Sequence, residues 1–162
     1  MSRTKTRDQQ FVDPERGPLL TPRFIVALVL VVVGIAWITY YYVAVRADPS
    51  AFDPKTGSPV GPSGPQFLGD LGQWNYVIGF GLIFLGLIIS AHPSTPLGRG
   101  RGVVVGMLGC FLIGLIWICT YYVMSGASWA DNVPVLNDLG QYNLVVGIGF
   151  MAVGFTFATR WE

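Results

Sequence analysis

The sequence predicts an all-α integral membrane protein: four transmembrane helices arranged as two tandem, parallel-repeat helical hairpins, with both termini in the cytoplasm. Three observations lead there. Four stretches of the 162-residue chain carry no Asp, Glu, Lys, Arg or His: Phe24–Val45, Leu71–Ala91, Val103–Ala130 and Leu139–Thr159. A run of about 18 or more uncharged apolar residues is long enough to cross a bilayer as a helix. The basic residues crowd into alternate connections, and the two halves of the chain repeat one another.

Composition narrows the function classes. Residues AVILMFWYC make up 52% of the chain and charged residues only 12%, against about 25% in a typical soluble protein. Mean hydropathy is +0.53. These values exclude a soluble enzyme, a disulfide-stapled secreted domain and a DNA-binding module. The formal net charge of +1 produces no strong field for nucleic acid, so no nucleic-acid partner is expected.

The first element is a basic tail, residues 1–23, holding Arg3, Lys5, Arg7, Arg16 and Arg23. Span one, Phe24–Val45, would be about 33 Å long at 1.5 Å per residue, matching a hydrocarbon core of about 30 Å. Its apolar run is too long for a secretory signal and no small-x-small cleavage site follows, so it is read as retained. The outside loop, residues 46–70, contains Pro49, Pro54, Pro59, Pro62 and Pro65 with four glycines, which predicts an extended, mobile segment. Span two, Leu71–Ala91, completes the first hairpin, residues 24–91. A cytoplasmic linker, residues 92–102, leads to span three, Val103–Met124, and span four, Leu139–Thr159, in a second hairpin covering residues 103–162. Helices are the default because unpaired amides in lipid cost several kcal/mol each. All eleven prolines fall outside these spans, and Tyr40–Tyr42, Trp74, Tyr76, Tyr121, Tyr122 and Trp161 gather near their ends, where amphipathic rings prefer the headgroup level.

Orientation follows from Lys and Arg. The tail, the linker (Arg99, Arg101) and the C-terminal end (Arg160) hold eight of them, and the two remaining connections hold only Arg46 and Lys55. The positive-inside rule puts the eight in the cytoplasm.

The repeat is direct. Gly34-Ile-Ala-Trp37-Ile-Thr-Tyr-Tyr-Tyr-Val43 aligns with Gly114-Leu-Ile-Trp117-Ile-Cys-Thr-Tyr-Tyr-Val123 at an offset of 80, six of ten positions identical. Asp70–Gly81 aligns with Asp138–Gly149 at an offset of 68, eight of twelve identical. The first outside loop is therefore 12 residues longer. Both units enter from the same side, unlike the inverted repeats of alternating-access transporters.

Each second span carries a stripe of small and polar residues: Gly72, Asn75, Gly79, Gly86 and Ser90, then Gly140, Asn143, Gly147, Gly154 and Ala158. The spacings place each set on one helical face. Small residues let backbones approach in lipid, and Asn hydrogen-bonds across to a neighbour. The stripes are candidate helix-interaction sites, either within the bundle or toward partner helices. Trp37, with Gly34 and Tyr41, and Trp117, with Gly114 and Tyr121, form a second face on each first span, read first as packing. Gly98, Gly102 and Gly106 give a small-xxx-small run that leaves a homo-oligomer open.

Other leads fail. Cys110 and Cys119 stand about 13.5 Å apart along one helix, too far for a disulfide. His92 has no companion ligands in sequence, so no metal or cofactor is expected. No ionisable group lies within a span, whereas coupled transporters and pumps usually carry one. No catalytic set is present, and an enzyme is not expected.

Each unit resembles CrgA, the small two-span cell-division protein family of actinobacteria. The likeness rests on Gly-Ile-Ala-Trp-Ile and Tyr-Tyr-Val (34–43), Leu-Gly-Gln-Trp-Asn-Tyr-Val-Ile-Gly-Phe-Gly (71–81), their second copies at Gly114–Val123 and Leu139–Gly149, the closing Ala-Thr-Arg-Trp-Glu (158–162) and the basic opening Met1–Arg7. The family usually has one hairpin; this chain has two. The resemblance implies a non-enzymatic plasma-membrane protein enriched at the division septum. It implies partners among the divisome membrane proteins, including the septal peptidoglycan synthase, and the tubulin-like FtsZ ring. It makes the Asn75 and Asn143 helices the interaction helices and turns the basic tail, with Arg99 and Arg101, toward cytoplasmic partners and the lipid bilayer. The alternative from another class is a small four-span transporter or channel subunit, which predicts substrate flux.

Overall fold

The structure, a computed structural model, describes residues 18, 20–46, 52–55, 57, 60–61, 64–125, 133 and 135–159. Every regular element among them is helical. Helix α1 (Pro22–Tyr40) runs on into a π-helical turn (Tyr41–Val45); α2 (Gln66–Leu71) and α3 (Trp74–Ser90) follow, then α4 (Arg101–Met124), α5 (Leu136–Leu139) and α6 (Tyr142–Ala158). Pro22–Val45 and Arg101–Met124, 24 residues each with mean hydropathies of 2.4 and 2.5, are long and apolar enough to cross a membrane. Helices α3 and α6 are also apolar but 17 residues long.

Local chemistry sets the ends of α1. Thr21 caps it by accepting from the Phe24 N–H at 3.2 Å, and Pro22 takes the first turn, where its missing N–H has no partner to lose. The other end widens into the π turn, closed by the Arg46 N–H donating to Tyr41 O at 2.9 Å. Helix α4 stays α-helical to Met124.

The second spans are shorter than the continuous Leu71–Ala91 and Leu139–Thr159 expected. Each is broken near its start by a glycine, Gly72 and Gly140, both at φ 49°, a conformation that side-chain-bearing residues rarely adopt. These two glycines therefore form turns between α2 and α3 and between α5 and α6; they are not the first members of a helical stripe. Likewise α2 (Gln66–Leu71) makes residues 66–70, expected within an extended loop, helical, with Leu68 buried. The remainder of that expectation falls in part outside the described residues.

Helix α1 packs antiparallel on α3, and α4 on α6; α3 and α6 then lie side by side and join the two pairs. One apolar cluster spans this junction, including Ile38, Tyr76, Phe80, Val146 and Phe150. The linker between the pairs is tightly wound. Buried Thr95 donates to the carbonyls of Ser90 and His92 and accepts from the Gly98 N–H. A Cβ on Gly98 would strike His92 O and one on Gly102 would strike Pro96 O, while Gly106 sits under the Phe157 ring. The three glycines of the small-xxx-small run all face their own chain.

Candidate helix-interaction site

The repeated Leu-Gly-Gln-(Trp/Tyr)-Asn element is a turn with its own cap. When the chain reverses φ at Gly72 it strands carbonyls at the end of α2. The Asn75 side chain answers them: Nδ2 donates to Leu68 O at 2.8 Å and to Gly72 O at 2.9 Å. Asn143 Nδ2 does the same for Leu136 O at 2.6 Å and Gly140 O at 2.8 Å. Both Asn residues are fully buried. A buried amide that satisfies two carbonyls avoids a cost of about 1–3 kcal/mol for each group otherwise left unpaired.

The two units differ at the other end of that amide. Trp117 Nε1 donates to Asn143 Oδ1 at 3.1 Å, so this Asn does bond across to the neighbouring helix. In the first unit, Trp37 Nε1 and Asn75 Oδ1 are both buried and neither has a hydrogen-bond partner among the described residues.

Glycines set the helix spacing within each pair. A Cβ on Gly34 would lie 2.6 Å from Gly79 O, and one on Gly114 would lie 2.6 Å from Gly147 O. Gly79 and Gly147 in turn receive the side chains of Ile38 and Ile118. Gly86 continues the first contact against Ala27 O, 2.7 Å from its would-be Cβ, and Gly154 the second against Met107 and Phe111. Gly79, Gly86, Gly147 and Gly154 are thus occupied inside their own pairs, and the exposed sides of α3 and α6 are formed by other residues.

Between the pairs, aromatic edges interlock. Phe80 meets Trp117 (centroids 5.6 Å, 80°) and Phe84 meets Phe150 (5.0 Å, 87°), with Phe84 pressed onto Gly149. Beside this seam lies an apolar cleft of about 380 Å³, walled by Val77, Gly81, Phe84 and Val145 and flanked by the exposed rings of Trp74 and Tyr142.

A charged clasp closes the same end. Arg46 forms an ion pair with Asp138, Tyr76 OH donates to the other Asp138 oxygen at 2.6 Å, and the guanidinium lies 4.2 Å from the Tyr42 ring centre. Burial works to lower the Arg46 pKa, but the Asp138 hydrogen bond and charge outweigh it and raise it above the usual value. The clasp is one-sided. By the repeat, Asp138 matches Asp70, Tyr76 matches Leu144 and Arg46 matches Gly126, and Asp70 is exposed. Sequence reasoning missed this trio; the Tyr76/Leu144 mismatch within an otherwise matching repeat is the signal that could have found it.

Of the basic residues singled out, Arg99 donates to Pro18 O at 3.0 Å and Arg101 opens α4; Arg3, Lys5 and Arg7 lie outside the described residues. No three His, Cys, Asp or Glu side chains among the described residues gather as a metal site would require.

Comparison with known proteins gives one family. The model described as cell division protein CrgA matches twice, at residues 2–92 and 96–162. The cell division protein CrgA of Streptomyces avermitilis is 42% identical over 69 residues, covering 43% of this chain and 75% of that protein. Its namesake in Corynebacterium aurimucosum is 31% identical over 78 residues (45% and 80%), and that in Corynebacterium efficiens 30% over 82 residues (46% and 86%). Each alignment takes up less than half of this chain and three-quarters or more of the relative. No solved structure gives a significant match.

Proposed function

The chain belongs to the CrgA family, and on that footing we propose that it is a non-enzymatic membrane protein of the division septum that works by binding. In this reading all four long helices span the plasma membrane with both termini and the 92–102 linker in the cytoplasm. The 17-residue helices α3 and α6 extend about 26 Å at 1.5 Å per residue, and short spans of this kind are accommodated by local thinning of the bilayer. The eight-to-two distribution of basic residues supports the orientation.

The partners proposed are divisome membrane proteins, among them the septal peptidoglycan synthase, which the protein helps recruit or stabilise, and the FtsZ ring, whose assembly the basic tail modulates. The interaction helices are α3 and α6. Their Asn and Gly residues hold them in position, and the exposed Trp74, Val77, Tyr142 and Val145 offer the outward surface. The observation that carries the proposal is the double match to a cell-division family.

The test is the septum-to-sidewall intensity ratio of a fusion tagged at the N-terminus, in dividing actinobacterial cells. Enrichment at septa is expected. A uniform membrane signal from a complementing fusion overturns the division role and turns attention to flux through a passive pore.

A further inference from the structure

At the end of the first helix pair that carries Arg23 and His92, a groove of about 460 Å³ opens between α1 and α3. Pro22, Val26, Ile88 and Ile89 wall it, and Arg23 and His92 form its rim. The corresponding place in the second pair is plugged. There Gly106 stands for Val26, Phe157 for Ile89 and Val103 for Arg23. The Phe157 ring is 0% exposed and so close that a Cβ on Gly106 would come within 2.5 Å of it. The two copies of one unit thus differ in a specific way: one crevice is filled by an aromatic ring, and the other is open and apolar with Arg23 at its rim.

The rim favours an anion. Arg23 Nη1 lies 2.7 Å from His92 Nε2, while the Ser94 backbone N lies 3.1 Å from Nδ1. Ser94 Oγ also lies 2.9 Å from Nδ1, so the ring accepts from Arg23 through Nε2 when Nδ1 carries the proton, and the other guanidinium N–H groups of Arg23 remain to serve a ligand at the rim. The contacts of Arg23 among the described residues are to this ring and include no carboxylate. Helix α1 begins at Pro22, and its positive dipole end adds to the field. The opposing negative end of α3 is muted, because Thr95 donates to the Ser90 carbonyl and Ser90 Oγ donates to Leu87 O. The walls, by contrast, favour a hydrocarbon chain.

We infer that this groove binds one anionic phospholipid, its phosphate against Arg23 and an acyl chain along Val26, Ile88 and Ile89. Basic pockets between transmembrane helices hold lipid head groups in this way. The inference rests on the membrane placement proposed above and is independent of the septal role.

Native mass spectrometry of the full chain tests it, after titration in detergent micelles with phosphatidylglycerol or phosphatidylcholine of identical acyl chains. One phosphatidylglycerol is expected to be retained about 5-fold more strongly, which converts to about 1 kcal/mol. Arg23→Gln abolishes the preference, and Ile89→Phe, which installs the plug of the second pair, abolishes retention of either lipid. Lys55→Gln, an equal loss of charge at the other end of the molecule, leaves retention unchanged. Equal retention of both lipids by the wild type, an intact preference in Arg23→Gln, or an equal loss in Lys55→Gln overturns the site. Flotation with phosphatidylcholine vesicles is read in parallel. A chain that does not float overturns the membrane placement and the groove with it, a result distinct from a floating chain without lipid preference.

Discussion

The Trp117 indole N–H donates to Asn143 Oδ1 at 3.1 Å and ties α4 to α6, whereas the equivalent atoms of the first unit, Trp37 Nε1 and Asn75 Oδ1, are buried without hydrogen-bond partners among the described residues. The two copies of one motif therefore hold their helices with different strength. A buried polar atom left unpaired costs about 1–3 kcal/mol, so the first pair carries a penalty that the second avoids.

Trp117→Phe and Trp37→Phe should separate accordingly. The first orphans Asn143 Oδ1 and is expected to destabilise by about 1 kcal/mol. The second removes an unpaired donor and is expected to be neutral or stabilising. Reversible unfolding by dodecyl sulfate in mixed micelles measures both, and equal losses would remove the asymmetry.

Asn143→Leu strands the Leu136 and Gly140 carbonyls as well as the Trp117 N–H, and should cost about 2 kcal/mol or more. Asn75→Leu strands two carbonyls and relieves one unpaired oxygen, so its cost should be smaller. The double variant should insert normally and yet pull down less septal synthase. A yield equal to wild type would take the interaction role away from these helices.

Gly79 and Gly81 are two residues apart on α3 and should respond in opposite ways. A Cβ on Gly79 runs into the Ile38 side chain and lies 3.2 Å from Gly34 O; one on Gly81 meets nothing within 4 Å. Gly79→Val should force the pair apart at a cost of about 1–3 kcal/mol, while Gly81→Ala should stabilise α3 slightly. The same unfolding assay distinguishes them.

The Arg46–Asp138 ion pair is partly buried, with side chains 19% and 20% exposed. Its coupling, read from a double-mutant cycle of Arg46→Gln and Asp138→Asn, should be about 1–2 kcal/mol. The same cycle with Asp70→Asn in place of Asp138→Asn should give none, because Asp70 is exposed. Coupling below about 0.5 kcal/mol would mean that the ion pair adds little to the apolar cluster and the Tyr76–Asp138 hydrogen bond in joining the pairs.

Much of the fold is legible in the chain's own residues. Charge-free stretches announce apolar helices because lipid penalises charge and unpaired backbone. The Gly34 and Gly79 spacing announces close helix approach because a Cβ would occupy the gap. The family is carried by Leu-Gly-Gln-Trp-Asn and its copy, since that element combines a turn glycine with a capping amide. Gly72 and Gly140 mislead a helical-face reading because spacing alone does not reveal a residue that has left the helix; only the sign of φ does.

The helical class, the repeat and the apolar stretches are legible in the chain alone, since these follow from local properties: charge, hydropathy, and residue spacing along one chain. Packing alone reveals which glycine meets which backbone, that the stripes are used within each pair, and that Arg46 reaches Asp138 while Asp70 is left exposed. Those are relations between residues up to 92 positions apart. They depend on how α3 settles against α6, and identical motifs in the two units say nothing about that choice. The repeat makes the units alike, and the few substitutions between them, Tyr76 for Leu144 and Ile89 for Phe157, become consequential when packing puts them at a seam and at a groove.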